Sequence, residues 1–296
     1  METVVITGAS RGLGLASAEH LYKTGWRVIA AMRSVAAGME RLRAATGASA
    51  DDPRLRAVQL DLEDNASIAN AARAIIDICG APDVLVHNAG IAAAGTFEDT
   101  PDAEWTKIFA TNVFGPMALT KALLPSMRAA RHGRIVIISS MGAVRGMPAI
   151  SAYSASKGAL ERWGESLAGE IAGFGLGVSV VVTGTYKTDI LVQTADYRNY
   201  DGAYGSHYIG VNKIGDLVIK VAGAPAQFAR ILEKAMTVSA PYARYTAGID
   251  AFLLLLFHRL LPGRLLHGVI CMAMGLPRPG RLRALPKVTE QSVERS

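Results

Sequence analysis

Two residues whose types and spacing suit acid–base chemistry, Tyr153 and Lys157, are four positions apart in a stretch predicted to open a helix. Residues at this spacing share one helix face. A phenol with a pKa of about 10 is a poor base at neutral pH, but an adjacent ammonium stabilises the phenolate and lowers that pKa. Ser140 ends the preceding apolar strand, and its hydroxyl is suited to bind a substrate oxygen. In isolation, this spacing is more typical of an amphipathic helix whose lysine extends into solvent.

A glycine-rich turn joins the first predicted strand to the first predicted helix. Residues 7–14 read TGASRGLG, which places Gly8, Gly12 and Gly14 in a G-x-x-x-G-x-G pattern. Glycines permit a tight turn and let a phosphate approach the free N–H groups at the start of a helix. Many turns need glycine for local reasons alone, but the position between strand and helix favours a nucleotide site.

The end of the second predicted strand carries arginine where many NAD sites carry an acidic residue. That acidic residue, about 20 positions beyond the glycines, binds the 2′-hydroxyl of the ribose. Residues 27–33 hold no carboxylate, whereas Arg33 and Arg11 offer guanidinium groups to a 2′-phosphate. The alternative is two exposed arginines that point into water. We expect NADP as the cofactor, with NAD as the second choice.

Polar residues follow two further predicted strands. Asp61 follows the third strand, and Asn88, Ala89 and Gly90 follow the fourth. These residue types favour ordinary turns, so each position alone indicates little. Their shared placement at the carboxyl ends of strands favours a ligand site.

Taken together, these residues resemble those of the classical short-chain dehydrogenases/reductases. The resemblance covers about residues 3–190 and rests on the turn at residues 7–14, Asn88-Ala89-Gly90, Asn112, Ser140, Tyr153 and Lys157. It implies that Tyr153 is the general acid/base and that Ser140 steadies the reacting oxygen. Lys157 would lower the Tyr153 pKa and hold the nicotinamide ribose. Asn112 would shape a helix bend and take part in a water-linked proton relay.

The same resemblance implies a set of cofactor contacts. Asp61 and Leu62 would flank the adenine, and residues 88–90 would support the cofactor and the central strand. The residues expected to contact the cofactor are Gly8, Ser10, Arg11, Gly12, Leu13, Gly14, Arg33, Asp61, Leu62, Asn88, Ala89, Gly90, Tyr153, Lys157, Gly184, Tyr186 and Thr188.

One position departs from the family pattern. Similar proteins usually carry a Pro-Gly pair after the sixth strand, whereas this chain has Thr183 before Gly184; Gly184 and Thr188 match the pattern. Thr183 lacks the fixed φ of proline. We therefore expect a more mobile loop on the nicotinamide side, with an effect on cofactor affinity or loop order and no loss of chemistry.

Alternating strands and helices are predicted to position these residues. The predicted strands are residues 3–7, 27–31, 56–60, 84–87, 134–139 and 177–182, and the predicted helices are residues 13–23, 68–78, 103–129 and 153–174. The strands are continuously apolar, which is typical of a sheet covered on both faces. The alternation predicts an α/β protein: a Rossmann-type, doubly wound parallel β-sheet with helices on both faces, in three α/β/α layers.

Composition narrows the classes of protein. The chain has 296 residues and is 50% hydrophobic, enough for a sizeable core. Cys79 and Cys271 are far apart without a cysteine or histidine companion, so we expect no disulfide, no metal site and a cytoplasmic location. No basic segment of a signal peptide precedes the first strand. The formal net charge of +6 is dispersed apart from a basic tail, so nucleic acid is not an expected partner.

The C-terminal third is less regular. We expect one domain over residues 1–276, with a substrate lid at about 190–223, a helical extension at about 224–276 and a poorly ordered tail at 277–296. Tyrosines of the lid would form a wall around a mostly apolar substrate or simply lie on a loop surface. We interpret the apolar segment 251–261 as a core or dimer-interface helix, in preference to a cover over a lipophilic pocket or a membrane-surface anchor.

The sequence therefore predicts an NADP-preferring oxidoreductase, such as a carbonyl reductase, that transfers a hydride between nicotinamide and a lipophilic secondary alcohol or ketone. The family implies a homodimer or homotetramer, and no apolar run is long enough to span a membrane. Two alternatives remain: a non-catalytic nucleotide-binding or interaction protein on the same fold, and an epimerase or dehydratase. The retained tyrosine, lysine and serine favour an enzyme.

Overall fold

Apolar strands pair side by side in a computed structural model of the chain, which describes residues 1–188, 194–277 and 280. The strands are β1 (Thr3–Thr7), β2 (Arg27–Met32), β3 (Leu55–Gln59), β4 (Val84–His87), β5 (Ala93–Ala94), β6 (Gly133–Ser140), β7 (Leu176–Thr183), β8 (Ala195–Asp196) and β9 (Tyr242–Ala247). Seven of them form a parallel sheet in the order β3-β2-β1-β4-β6-β7-β9, and β5 pairs with β8. The strand order reverses between β1 and β4, and such a crevice is where open α/β sheets bind ligands.

Helices connect the strands of the main sheet. They are α1 (Gly12–Lys23), α2 (Val35–Thr46), α3 (Asn65–Cys79), α4 (Asp102–Phe109), α5 (Gly115–Ala130), α6 (Met141–Val144), α7 (Ser151–Ile171), α8 (Gly205–Lys220), α9 (Pro225–Thr237), α10 (Ile249–Leu260) and α11 (Gly263–Ala273). A π-helical turn, Ala110–Phe114, joins α4 to α5, and a 3₁₀ turn, Ala172–Phe174, ends α7.

Two hydrophobic cores lie on opposite faces of the sheet. Because side chains alternate along a strand, Val4 of β1 packs in one core with Phe228 of α9. Val5 packs in the other core with Leu119 of α5 and Leu160 of α7. This arrangement confirms the predicted three-layer α/β/α fold.

Six elements were not predicted: the short β5, α6 and β8, the helices α2 and α8, and strand β9. Helix α2 buries only Gly38, Met39 and Leu42, so its apolar stripe is weak. Strand β9 has the half-polar sequence YARYTA because it lies at the sheet edge and has a single strand neighbour, β7. The predicted helix at 103–129 is α4, the π-helical turn and α5 in succession.

The C-terminal third joins the same sheet through α9 and β9. Phe228 and Leu232 of α9 are fully buried, and α9 packs against α1. The predicted single domain over residues 1–276 stays a prediction. Residues 189–193 at the start of the predicted lid, and all of the predicted tail except 277 and 280, lie outside the described residues. Within the described part of the chain, no helix is both long and apolar enough to cross a membrane.

Candidate active site

The three side chains that suggested acid–base chemistry come together beside the end of β6. Ser140 is the last residue of β6, and its hydroxyl accepts a hydrogen bond from the Gly142 N–H at the start of α6, at 3.2 Å. Tyr153 and Lys157 lie in the first two turns of α7, which packs against β6. The side chains of Ser140 and Tyr153 are close enough that the Ser140 hydroxyl lowers the pKa of the Tyr153 phenol.

Tyr153 holds its proton in this arrangement. Burial raises the pKa of its phenol above the usual value, and the hydrogen bond to Ser140 acts in the opposite direction. The Lys157 ammonium lies 5.9 Å from the centre of the Tyr153 ring. Desolvation of the phenolate is the larger of these two effects, and the expected lowering of this pKa by Lys157 stays a prediction. The site therefore presents a neutral phenol, which is suited to donate a proton.

The ammonium of Lys157 is buried beneath the site. Its Nζ donates to the carbonyl oxygen of Ile138 in β6, at 2.9 Å, and the side chain is almost fully buried. Burial lowers the pKa of Lys157 to about 8. Gly90 leaves room for this chain, because a Cβ built there would lie 3.3 Å from Nζ. Lys157 therefore remains mostly charged at neutral pH.

Asn112 lies in the middle of the π-helical turn and is fully buried. Its side-chain oxygen accepts from the Ile91 N–H, and its amide donates to the Ile91 carbonyl, both at 2.9 Å. The same amide donates to Ser156 Oγ at 3.0 Å, and Ser156 Oγ donates to the Tyr153 carbonyl at 2.8 Å. The predicted helix bend is thus a π-helical turn that links Asn112 to the main chain of Tyr153. Ser156 was missed, since nothing in the sequence links it to Asn112.

The glycine turn has the geometry of a phosphate cradle. Gly8 and Gly12 have φ of 68° and 55°, in the left-handed region that favours glycine. A Cβ on Gly14 would overlap the carbonyl oxygen of Gly8. Among the described residues no side chain caps the N-terminus of α1, so its first N–H groups face the turn. These residues fit the pyrophosphate of a dinucleotide.

Thr7 and Asn88 brace this cradle from the neighbouring strand. Thr7 Oγ1 accepts from the N–H groups of Asn88 and Ala89, at 3.1 and 3.0 Å. The Asn88 side-chain amide donates to the carbonyl oxygens of Thr7 and Gly8, at 2.8 and 3.3 Å. Asn88 therefore acts through the backbone of the turn. Thr7 was not among the predicted site residues, because threonine in a strand is also an ordinary core residue.

Three arginines, Arg11, Arg33 and Arg41, belong to the elements that surround the glycine turn. Arg33, just beyond β2, is exposed, and Arg11 at the start of α1 is half-exposed. The exposed Arg41 of α2 donates to the Ser10 carbonyl oxygen at 3.5 Å, and it was also missed. Side chains of this charge suit a phosphate better than a ribose hydroxyl.

Asp61 and Leu62 lie at the carboxyl end of β3, as the sequence placed them. The Asp61 carboxylate accepts from the Glu63 N–H at 3.0 Å, and its own N–H donates to Ser67 Oγ at 2.9 Å. Leu62 is buried against the start of α5, where a Cβ on Gly115 would overlap its carbonyl oxygen.

The departure at Thr183 adds a hydrogen bond. Thr183 is the last residue of β7, and its Oγ1 donates to the Ser139 carbonyl oxygen of β6 at 2.8 Å. In the following loop, the Thr185 N–H donates to a carboxylate oxygen of Asp250 in α10, at 2.7 Å. Gly184 has no room for a Cβ, which would overlap the same carboxylate. We expected a more mobile loop, but its start is held on both sides.

Tyr186 and Thr188 of this loop differ in their surroundings. The Tyr186 ring is buried in the core, 5.8 Å from the Phe228 ring, so its side chain is not available to a cofactor. Thr188 faces the glycine turn, because a Cβ built on Gly12 would lie 3.4 Å from its Cβ.

The tyrosines of the predicted lid donate to carboxylates on α4 and on the segment that precedes it. Tyr197 donates to Glu104 at 3.0 Å, Tyr204 to Glu98 at 2.7 Å, and the fully buried Tyr208 to Asp99. The carboxylate partners raise the pKa of Tyr197 and Tyr204, whereas burial is the main cause for Tyr208. These hydroxyls hold residues 197–208 to the body of the protein, and a substrate wall formed by the same rings stays a prediction.

A second buried polar contact supports the strand that ends in Ser140. Glu161 of α7 is almost fully buried and accepts from the Ser139 hydroxyl at 2.9 Å. Its other oxygen pairs with Arg244 of β9 at 2.5 Å. Neither residue was predicted from the sequence.

The expectation that neither cysteine has a histidine companion needs one correction. Cys271 does have a histidine companion, since its Sγ lies 3.6 Å from Nε2 of His267, one helical turn earlier. Within the described ranges, no group of three or more His, Cys, Asp or Glu side chains is arranged to hold a metal ion.

Comparison with known proteins places this geometry in context. A family model described as short chain dehydrogenase matches residues 2–199. The uncharacterized oxidoreductase YusZ of Bacillus subtilis (strain 168) is 34% identical over 266 residues, covering 87% of this chain and 93% of that protein. A solved short-chain dehydrogenase from Streptomyces avermitilis is 35% identical, with a TM-score of 0.75, over 87% of this chain and 92% of that one.

A vertebrate relative matches over a shorter region. Dehydrogenase/reductase SDR family member 7B of Xenopus tropicalis is 39% identical over 207 residues, covering 67% of this chain. The match spans 65% of that relative's length.

Proposed function

The chain belongs to the short-chain dehydrogenase family, and from this premise we propose that it interconverts a lipophilic secondary alcohol and its ketone, with NADP as the preferred cofactor. The observation that carries the proposal is the contact between the Ser140 and Tyr153 hydroxyls above the buried Lys157. Family membership makes the chain an NAD(P)-dependent oxidoreductase in outline. The reaction, its direction and the roles of single residues are our proposal.

Tyr153 is the proton donor and acceptor in this proposal. When the carbonyl oxygen of a ketone lies against the two hydroxyls, Tyr153 gives it a proton while Ser140 donates a second hydrogen bond that orients it. Because its pKa lies above the usual value, the phenol is protonated at neutral pH and can give this proton to the ketone. In the reverse direction the phenolate has to form first, and the nearby Lys157 ammonium stabilises it.

Lys157 and Asn112 complete the proton pathway. The pKa of the Lys157 ammonium is about 8, close to neutral pH, so this group can release and take up a proton readily. Asn112 holds Ile91 and Ser156 in place, which fixes the main chain of Tyr153. We propose that Lys157 returns a proton to the Tyr153 phenolate after the reaction. We propose that Asn112 positions Tyr153 and Lys157 on α7.

The cofactor, when bound, supplies or accepts the hydride. The glycine turn at residues 7–14 would hold its pyrophosphate, and Asn88 would keep that turn in shape through the bonds to Thr7 and Gly8. Arg33, Arg11 and Arg41 would bind a 2′-phosphate, which supports NADP over NAD. Gly184 and Thr188, on the loop after β7, would contact the nicotinamide half.

A lipophilic substrate is supported by the residues that follow Ser140. Met141, Ala143, Val144 and Met147 are apolar and only half-buried. The Met147 N–H donates to Ser154 Oγ at 3.3 Å, which holds this segment one residue away from Tyr153. An apolar wall with a pair of hydroxyls at its base suits a molecule with one polar end.

Replacement of Tyr153 tests the proposed reaction. Tyr153→Phe should lower kcat by about 10²–10⁴-fold, because general acid catalysis is lost, and leave cofactor affinity unchanged. Tyr204→Phe, which removes a hydroxyl bonded to Glu98, is the matched control and should keep its kcat. Consumption of reduced cofactor with a panel of ketones is the measurement. Normal turnover in Tyr153→Phe would contradict the proposal. A wild-type protein that binds the cofactor without consuming it would instead fit a non-catalytic binding protein. Product formation without net consumption of the cofactor would fit an epimerase or dehydratase.

Replacement of Arg33 tests the cofactor preference. Arg33→Ala should weaken NADP binding by about tenfold or more and leave NAD binding nearly unchanged, since only NADP carries the extra phosphate. Arg73→Ala, an exposed arginine of α3, is the control. Titration of both cofactors gives the answer, and equal losses for NAD and NADP would refute the preference.

A further inference from the structure

Helices α10 and α11 expose a continuous set of large apolar side chains. We call this set the apolar face; it comprises Ile249, Phe252, Leu253, Leu256, Phe257 and Leu260 of α10 and Leu265, Val269 and Met272 of α11. Each of these side chains is between 38% and 75% exposed. Their spacing of one, three and four residues places them along one side of each helix. The expectation that this segment is a core helix is therefore wrong for this face.

The opposite sides of the two helices are attached to the protein. Ala251 of α10 is fully buried, Leu255 packs against the core on the α7 side of the sheet, and Leu266 of α11 is 2% exposed. Asp250 accepts from the Thr185 N–H, which fixes the start of α10. Both helices are thus docked by one side, and the apolar face is the side that they turn outward.

Charge is segregated onto the same part of the chain. Residues 251–289 contain no Asp or Glu, and their six basic residues are Arg259, Arg264, Arg278, Arg281, Arg283 and Lys287. The formal net charge of the whole chain is +6, so the remainder of the protein is neutral. Arg259 in the last turn of α10 and Arg264 in the first turn of α11 are both exposed, and they lie on either side of the link between the two helices. An apolar surface with basic residues at its margin matches a negatively charged bilayer.

We propose that the apolar face docks on the surface of a membrane that contains anionic lipids, with α10 and α11 in the plane of the headgroups. The basic residues select the anionic headgroups, and the phenylalanines and leucines enter the acyl boundary. A second copy of the chain is the competing occupant. Joined face to face, two copies would bring two acid-free, basic segments together, and neither would offer a carboxylate to the other's arginines.

The docked face lies beside the candidate active site. Helix α10 packs against α6, which begins immediately after Ser140, and Asp250 at its start contacts the loop after β7. A protein held by this face would therefore present the site close to the lipid. The proposal does not depend on the reaction, because docking requires neither Tyr153 nor a cofactor.

Vesicle co-sedimentation of the full-length protein tests this proposal. Wild-type protein should sediment with vesicles of phosphatidylcholine and phosphatidylglycerol and much less with phosphatidylcholine alone. The double variant Phe252→Ser/Phe257→Ser should lower the partition coefficient by about tenfold or more, because two large apolar side chains are lost. Arg259→Glu/Arg264→Glu should reduce binding to the anionic vesicles and remove its salt dependence.

Two controls carry matched changes elsewhere. Phe174→Ser alters an exposed phenylalanine at the end of α7, and Arg73→Glu reverses an exposed arginine of α3; both should bind like the wild type. Thermal unfolding of each variant checks the fold. Absence of wild-type binding to anionic vesicles, or undiminished binding by both face variants, would overturn the proposal. It would also be overturned if the serine variant converted a dimer into a monomer without changing vesicle binding, since a second copy would then cover the face.

Discussion

The ammonium of Lys157 is held where an uncharged side chain would be more stable. Its single described protein partner is the Ile138 carbonyl, and burial brings its pKa down to about 8. Active sites commonly contain buried charges that lower the stability of the folded protein but are required for the reaction. The free energy involved follows from the difference between folded and unfolded pKa values.

Lys157→Met should abolish turnover and raise the free energy of unfolding at pH 7 by about 1–3 kcal/mol. Because the folded pKa lies below the usual value of 10.5, protonation at neutral pH disfavours the folded state. The wild type should gain stability as pH rises from about 8 toward that value, so the advantage of the variant should shrink there. Urea unfolding of both proteins at pH 7 and pH 10 measures this difference in the free energy of unfolding.

The exposed Lys121 supplies the comparison for this substitution. Lys121→Met should change stability by less than about 0.5 kcal/mol at either pH, as expected of an isolated surface position. A Lys157→Met variant less stable than the wild type at pH 7 would show that the hydrogen bond to Ile138 outweighs the desolvation of the charge.

Residue types were predictable where chemistry and sequence spacing coincide. Tyr153 and Lys157 are four positions apart, so helical periodicity alone places them together. The contacts that brace them link distant positions: Thr7 and Asn88 are 81 residues apart, Asn112 and Ser156 44, and Thr185 and Asp250 65. No local pattern marks a serine or an aspartate for such a partner, so Asn88 and Asn112 were predicted but their partners Thr7 and Ser156, and the pair Thr185 and Asp250, were missed.

At the scale of elements, α10 and the loop after β7 are joined by one carboxylate. Asp250 in the first turn of α10 accepts from the Thr185 N–H and the Ala251 N–H, at 2.7 and 2.9 Å. Gly184 and Gly248 leave the room that this carboxylate occupies. The loop expected to contact the nicotinamide thus takes its position from a helix beyond the matched family region.

Asp250→Asn should raise the KM for the cofactor by about tenfold, because a charge-assisted hydrogen bond to the loop is weakened. The value of kcat at saturating cofactor should change much less, since the Ser140–Tyr153 contact is untouched. Steady-state kinetics with varied cofactor separate the two effects. Asp216→Asn, an exposed aspartate of α8, is the matched control. An unchanged KM would show that the loop does not depend on Asp250.

Elements were predicted well where they are long or wholly apolar. The six buried strands and the helices α1, α3, α5 and α7 carry the strong patterns that a covered sheet requires. Strand β9 escaped prediction because an edge position allows polar residues, and α2 because three small or medium side chains suffice to seat it. The π-helical turn was implied only as a helix bend, since no sequence rule specifies an extra residue in a turn.

At the scale of the whole molecule, an ion pair between the buried Glu161 and the partly exposed Arg244 fastens the edge strand to α7. Glu161 of α7 is 1% exposed and pairs with Arg244 of β9, while its second oxygen accepts from Ser139. Arg162 of the same helix lies 3.8 Å from the same Glu161 oxygen, but Arg244 is the nearer cation and the one that joins α7 to the edge of the sheet. Removing one partner of such a pair leaves the other buried and unpaired.

Arg244→Met should lower the free energy of unfolding by about 2–4 kcal/mol, because the Glu161 carboxylate loses its main partner. The double variant Arg244→Met/Glu161→Gln should recover much of this loss. Lys23→Met breaks the exposed pair with Glu19 and should cost less than about 1 kcal/mol. Urea unfolding of all three decides it: a double variant no more stable than Arg244→Met would mean that packing, and not the unpaired charge, accounts for the loss.

The end of β6 also determines how much length variation the gene can tolerate. Ile138, Ser139 and Ser140 each engage a different partner, respectively Lys157, Glu161 with Thr183, and Tyr153. Because neighbouring strand residues differ in direction, a shift by one position exchanges all of these partners at once. One residue inserted or deleted between positions 133 and 140 would therefore change the partners of all three residues together. We expect insertions and deletions in natural variants to be confined to the surface turns.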